Sequence, residues 1–264
     1  MSEDNNARGQ PTLAGRLRAG EKLVSAWSGL PDPLVAETLA RLGFDAVTLD
    51  MQHGFHSTES VLRGIAGVAL AGKPAIVRIP VGRFDMASRA LDMGAAAVIA
   101  PMINDVDDAR AFAAATKFPP LGERSWGPHR AMQLSRHGDV STFMRTADGE
   151  TLSFAMIETR KAFDRLNDIL DVDGVDGVFV GPADFSIAWS EGAKVDPRLE
   201  EMMPAIEAIA AAAEKGGKLA AIYAADPGLA GRYRQMGYRL VATASDTESL
   251  VLGAATVLER AKAE

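Results

Sequence analysis

The feature that most constrains this chain is a phrase that recurs along it: a glycine leads into a short apolar run, at residues 43–49, 94–101, 174–182 and 237–243. Each run carries four to six apolar residues with little polar alternation, the pattern of a strand covered on both faces. Each also follows a helix-like stretch, so the repeating unit reads helix, glycine, strand. Runs at 22–26, 74–78, 152–158 and 217–223 bring the expected strands to eight. Amphipathic stretches at 33–42, 58–70, 84–92, 106–116, 161–170, 200–214 and 249–262 lie between them. Regular alternation with eight strands predicts an α/β fold, a (β/α)8 TIM barrel, over a doubly wound sheet. The chain of 264 residues suits one such barrel over 12–264, preceded by a polar, disordered tail at 1–11.

Charge and composition narrow the function. With 28 Lys and Arg against 35 Asp and Glu, the net charge is −7, which argues against nucleic-acid or anionic-membrane partners. No run of about 18 apolar residues offers a transmembrane helix, and the expected location is cytoplasmic. The sequence contains no cysteine, so thiolate nucleophiles, thiolate zinc sites and iron–sulfur clusters are excluded, and any metal sits on O or N ligands. Neither GxGxxG nor GxxxxGK[ST] occurs, which removes the dinucleotide and P-loop readings. One connection breaks the rhythm, the long segment 117–149 with Pro119, Pro120, Gly122, Gly127 and Pro128. Its length marks it, with 186–197, as an expected wall of a substrate pocket.

A barrel carries its active site at the C-terminal ends of its strands. There stand Asp50-Met51-Gln52-His53, Val77-Arg78, Ile157-Glu158-Thr159-Arg160 and Gly181-Pro182-Ala183-Asp184. Glu158 and Asp184 put two carboxylates on adjacent strands, an oxygen-rich setting for Mg²⁺, Mn²⁺ or Co²⁺. Capping of the next helix by Glu158 and a first-turn position for Asp184 explain the same residues equally well. Asp50 and His53, three apart, outline a general acid–base pair in which the carboxylate orients the imidazole. Arg78, at the end of an apolar run, requires an anionic partner or a bound oxyanion. The Gly181–Asp184 turn offers backbone N–H groups to a carboxylate. His56 sits where a helix should start, His129 and His137 in the long loop; Arg124 and Arg160 suit salt bridges and packing. Trp126 and Trp189 fit a pocket wall or a subunit contact equally.

These residues resemble the HpcH/HpaI family of class II pyruvate aldolases over nearly the whole chain, from about Leu23 to Leu258. The most specific elements are Ile157-Glu158-Thr159-Arg160 and the run from Gly174 to Ser186; Leu91-Asp92-Met93-Gly94-Ala95 and Pro119-Pro120-Leu121-Gly122-Glu123-Arg124 add support. The resemblance implies a divalent ion on Glu158 and Asp184 that chelates pyruvate. It implies that His53, oriented by Asp50, acts as acid–base through a water, that Arg78 stabilises the enolate oxygen, and that the N–H groups around Ala183 and Asp184 hold the carboxylate. Asp92 is implied as a supporting carboxylate near a subunit boundary. A homohexamer, a trimer of dimers with exchanged C-terminal helices, is implied likewise. The expected reaction cleaves and forms 4-hydroxy-2-oxo acids, giving pyruvate or hydroxypyruvate plus an aldehyde.

Two positions depart from the family pattern. Gln52 stands where an acidic residue is usual, and Met156 where Gln is frequent before Ile-Glu-Thr. Gln52 is therefore a candidate substrate-binding residue that supplies the hydrogen bond Met156 lacks. The competing readings are a citrate-lyase-β-like C–C lyase acting on acyl-CoA thioesters, for which no basic patch is evident, and a catalytically silent protein that binds 2-oxo acids.

Overall fold

A computed structural model describes residues 11–263. The expected tail therefore lies, apart from Pro11, outside the described residues. The order is α1 (Leu13–Arg18), β1 (Leu23–Ser28), α2 (Pro33–Arg41), β2 (Ala46–Asp50), α3 (Thr58–Leu70), β3 (Ala75–Arg78), α4 (Phe84–Asp92), β4 (Ala97–Ala100) and α5 (Val106–Thr116). It continues with α6 (His129–Leu134), α7 (Val140–Glu150), β5 (Leu152–Ile157), α8 (Arg160–Asp164), α9 (Leu166–Leu170), β6 (Gly177–Val180) and α10 (Pro182–Trp189). The last elements are α11 (Met203–Lys215), β7 (Leu219–Tyr223), α12 (Ala230–Gln235), β8 (Leu240–Ser245) and α13 (Asp246–Lys262). The eight strands close a parallel barrel in sequence order, β1 to β8, as the alternation predicts.

The local reasons are plain in the sequence. Gly43, Gly94, Gly174 and Gly237 all have positive φ, a backbone state that glycine adopts without steric cost and that turns each helix back into the next strand. Asp32, Ser57, Asp105 and Asp139 cap helices through their side-chain oxygens, satisfying orphan N–H groups. Inside the barrel, Leu23, Ala46, Ile76, Ala97, Phe154, Phe179 and Leu240 pack with Leu13, Ala14 and Leu17 of α1, so α1 plugs the N-terminal end. Burial of such side chains contributes about 1.5–3 kcal/mol each. A second apolar layer, from Ala36 and Leu39 on α2 round to Ile206 and Ile209 on α11, joins strands to helices.

The long segment 117–149 departs from expectation. It connects a helix to a strand, so it lies at the N-terminal end of the barrel, away from the mouth. There buried Lys117 donates to the carbonyls of Asp148 and Thr151 and to Asp176 Oδ2 at 2.6 Å. Asp176 also accepts from Arg18 and Ser153, so this acid of the 174–186 motif fastens the closed end. Among the described residues no helix is long and apolar enough to cross a membrane.

Candidate active site

A cavity of about 340 Å³ opens at the C-terminal ends of the strands. Its walls include Asp50, His53, Arg78, Met156, Glu158 and the Gly181–Asp184 turn. The parallel register sets Asp50 directly beside Arg78. Arg78 Nε donates to Asp50 Oδ1 at 2.8 Å and Nη2 to Oδ2 at 2.6 Å, a two-pronged charge-assisted pair. The guanidinium also lies 4.8 Å from the Trp27 ring centroid. Asp50 accepts further bonds from Trp27 Nε1 and from the backbone N–H groups of Gln52, His53 and Gly54. Burial alone would push the Asp50 carboxyl up, but Arg78 and the turn's N–H groups hold it below the usual carboxylate range.

This arrangement corrects the expected Asp50–His53 pair. The imidazole donates no hydrogen bond to Asp50, whose two oxygens accept from the guanidinium and from the turn. Asp50 positions His53 through the backbone instead, and the exposed ring lines the cavity. Gln52 likewise differs from its expected role. Only its backbone meets Asp50, at 2.9 Å, while its buried Oε1 has no hydrogen-bond partner and its side chain is not on the cavity wall.

Glu158 follows β5 and is 2% exposed. Its Oε1 accepts the N–H of Met102 at 2.7 Å. Met102 takes a left-handed φ of 56° to present that group, a strain of about 1–3 kcal/mol that the site retains. Burial, reinforced by the Asp184 charge and opposed by Met102 and Arg78, pushes the Glu158 carboxyl up to about 7. Gly181 is required by close approach: a Cβ there would lie 2.5 Å from Glu158 Oε2 and 2.9 Å from Met156 Cε. Gly181 leads into α10 with no side-chain cap and Pro182 in its first turn, so the helix turns free N–H groups towards the cavity beside exposed Asp184.

The two carboxylates fit a divalent cation. One is buried, which disfavours its charged form, and a cation beside it would relieve both that cost and its repulsion with Asp184. Among the described residues no three His, Asp or Glu side chains converge. An ion here would therefore keep places for water and substrate oxygens, the habit of Mg²⁺-type ions.

Other expected residues stand elsewhere. Asp92 ends α4 and accepts from Arg124 Nη2 at 2.7 Å; within one chain it does not line the cavity. His56 is buried between Ser28 and Ser60. His129 starts α6 and His137 pairs with Glu150, both in the segment at the closed end. Arg160 stacks on Trp189 at 3.5 Å, and Trp126 packs with Phe118 and Phe143. Neither 117–149 nor 186–197 contributes to the cavity wall. Residues on that wall beyond those the sequence motifs single out include Trp27, Gly29, Gly54, Phe55, Tyr223, Ser245, Asp246 and Thr247. Applying the strand-end rule to β1, β7 and β8 would have found most of them.

The sequence profile of the HpcH/HpaI aldolase/citrate lyase family matches residues 24–252. The chain belongs to this family. A 4-hydroxy-2-oxo-heptane-1,7-dioate aldolase from Salmonella heidelberg (strain SL476) is 35% identical over 94% of this chain and 93% of its own. The crystal structure of an HpcH/HpaI aldolase/citrate lyase family protein from Burkholderia cenocepacia J2315 superposes with a TM-score of 0.83, at 29% identity, over 95% of this chain and 99% of its own. An HpcH/HpaI aldolase from Desulfitobacterium hafniense DCB-2 shares the fold, with a TM-score of 0.87 at 24% identity over 97% and 98% of the two chains. As an HpcH/HpaI member the protein is an aldolase, a carbon–carbon lyase.

Proposed function

We propose that this aldolase cleaves and forms 4-hydroxy-2-oxo acids, giving pyruvate and an aldehyde, with a divalent cation of the Mg²⁺, Mn²⁺ or Co²⁺ type on Glu158 and Asp184. The observation that carries the reading is the buried Glu158, pushed up to about 7 beside Asp184 and the uncapped start of α10 in one cavity with Arg78 and His53. When bound, the cation supplies Lewis-acid polarisation of the 2-oxo group.

The chain's own residues do the rest. The N–H groups at Ala183 and Asp184 bind and orient the substrate carboxylate. Arg78 is held rigid by Asp50, which commits its Nε and Nη2, and by the Trp27 ring beside it; its remaining N–H groups stabilise the negative oxygen that develops as the bond between C3 and C4 breaks. His53, on the cavity wall and open to solvent, takes the proton of the 4-hydroxyl as that bond breaks and the aldehyde leaves. His53 then returns that proton to the enolate carbon, C3, which becomes the methyl of pyruvate. Asp50 fixes both partners, Arg78 by ion pairing and His53 through the turn, and Asp92 joins a site only if a neighbouring chain brings one to it.

Oligomerisation is part of the proposal. Along α13 only Asp246 is buried, and Leu250, Val251, Leu252, Val257 and Leu258 are exposed. A homohexamer built as a trimer of dimers, with this helix packed on a neighbouring chain, would cover them. The test of function is pyruvate release from a 4-hydroxy-2-oxo acid, followed with lactate dehydrogenase and NADH before and after chelator treatment. The expected result is turnover that stops with chelator and returns with the cation. Turnover of an acyl-CoA thioester alone, or binding of pyruvate without turnover, would overturn it.

A further inference from the structure

We propose that Tyr223 is a further catalytic residue of this site: its hydroxyl donates a hydrogen bond to the C4 oxygen of the substrate while the bond between C3 and C4 breaks. The inference rests on the aldol reaction proposed above. Tyr223 is the last residue of β7. Alternation along the strand puts it on the inner face with Leu219 and Ala221, in the cluster that fills the barrel. At the mouth its ring meets the Trp27 ring edge-on, with centroids 5.0 Å apart, and both residues line the cavity. The side chain thus leans from β7 towards β1, whereas Glu158 follows β5 on the opposite side of the closed barrel.

The hydroxyl is uncommitted. Among the described residues it makes no hydrogen bond, while the other neutral donors of the wall are engaged with their own chain. Trp27 Nε1 donates to Asp50 Oδ2 at 3.3 Å, Thr247 Oγ1 turns to Asp246 Oδ1 at 3.4 Å, and Ser245 Oγ caps α13 by accepting the Glu248 N–H at 3.1 Å. Burial, aided by the charges of Glu248, Asp50 and Asp246 and opposed by that of Arg78, holds the phenol above its ordinary 10. Tyr223 therefore enters the reaction as a donor and not as a base. The charges that act on it include Asp50 and Arg78, the pair beside His53, and not Glu158 or Asp184.

The reaction calls for a donor on that side. The cavity wall carries one Arg or Lys, Arg78, and it serves the C2 oxygen. When His53 takes the 4-hydroxyl proton, negative charge builds on the C4 oxygen. An electron pair of that oxygen then forms the carbonyl of the aldehyde, and the C3–C4 pair passes to the enolate. A neutral donor fixed at the C4 oxygen stabilises this charge as it develops and does not compete for the proton. Tyr223 gains and loses nothing, and His53 alone carries the proton from the C4 oxygen to C3.

The test uses the full-length enzyme with Mn²⁺ and compares two reactions in the unmodified chain and in Tyr223→Phe, which keeps the ring against Trp27. The first is pyruvate release from 4-hydroxy-2-oxopentanoate; the second is exchange of pyruvate methyl protons with D₂O, which involves no C4 oxygen. The expected result is a fall of about 10²-fold in kcat for cleavage, an equal fall in kcat/KM, and unchanged exchange. The pH–rate profile keeps its shape, because the group removed carries no proton of the reaction. Cleavage by Tyr223→Phe at the unmodified rate overturns the inference. Cleavage and exchange that fall together also overturn it, since the residue would then act on the enolate or the ion, and so does a limb lost from the pH profile. Absence of exchange in the unmodified enzyme is a different failure, that of the reaction on which the inference rests.

Discussion

Asp50→Asn takes away the carboxylate that Arg78 is salt-bridged to. The carboxylate accepts both prongs of the guanidinium, at 2.8 and 2.6 Å, together with Trp27 and the N–H groups of the turn that carries His53. The amide keeps the volume but presents one oxygen where two were used, and leaves a buried cation without a counter-charge. Loss of one member of a buried ion pair costs about 3–5 kcal/mol, so urea unfolding near neutral pH should show a loss of about 3 kcal/mol. Adding Arg78→Met removes the stranded charge and should recover about 1–3 kcal/mol of that loss. The sign of the pH dependence follows from Asp50 being held below its ordinary 3.8. A carboxylate depressed in the folded state contributes stability that is complete above the unfolded value and is lost as pH falls through the folded one. The cost of Asp50→Asn should therefore be constant between about pH 8 and 5 and shrink only below about 3.8. A cost under about 1 kcal/mol, or one that varies across the upper range, would refute the assignment of Asp50 as the fixed anchor of Arg78.

Gly181→Ala should lower divalent-ion affinity by about 10–100-fold in calorimetry, because its Cβ displaces Glu158 Oε2 from 2.5 Å; unchanged affinity would show that this clearance does not matter. His53→Asn should cut turnover by about 10²–10⁴-fold while leaving unfolding free energy within about 0.5 kcal/mol, since the side chain is exposed. His56 is kept below 6.5, chiefly by burial, so the unfolded chain binds its proton more readily and stability should fall as pH drops below about 6.5; His56→Gln should flatten that slope in thermal unfolding. Light scattering should give a smaller assembly for Leu252→Lys/Val257→Lys on α13 than for the unmodified chain, and an identical mass would count against α13 as the contact.

The strands were readable because a strand covered on both faces has no polar alternation, and because the glycine before each of four of them sits at a positive φ. Helix α10, with the sequence PADFSIAW, was not readable as a full helix, since it is apolar nearly all round and shows no stripe. The expected helix at 161–170 is two, α8 and α9, broken at Arg165, which leaves helical geometry with ψ 11°. In the site, Asp50, Arg78 and Glu158 stood out as charges at the ends of apolar runs. Their partners depended on strand register, which puts Asp50 beside Arg78, and register is a property of the closed barrel rather than of any local run. The segment 117–149 has the length of a pocket wall, but it runs from helix to strand and so belongs to the closed end. Asp246 reads in the sequence as an ordinary first-turn acid of α13, and only the fold wraps the loop after β1 round it.

The most direct test of the account is the pyruvate methyl signal in D₂O, followed by NMR with chelator-stripped protein returned to Mg²⁺, Mn²⁺ or Co²⁺. It reads the enolisation step with no assumption about the aldehyde. The account predicts exchange that depends on the added ion and disappears in Glu158→Gln. Exchange that persists in Glu158→Gln, or none with any of the three ions, would contradict it.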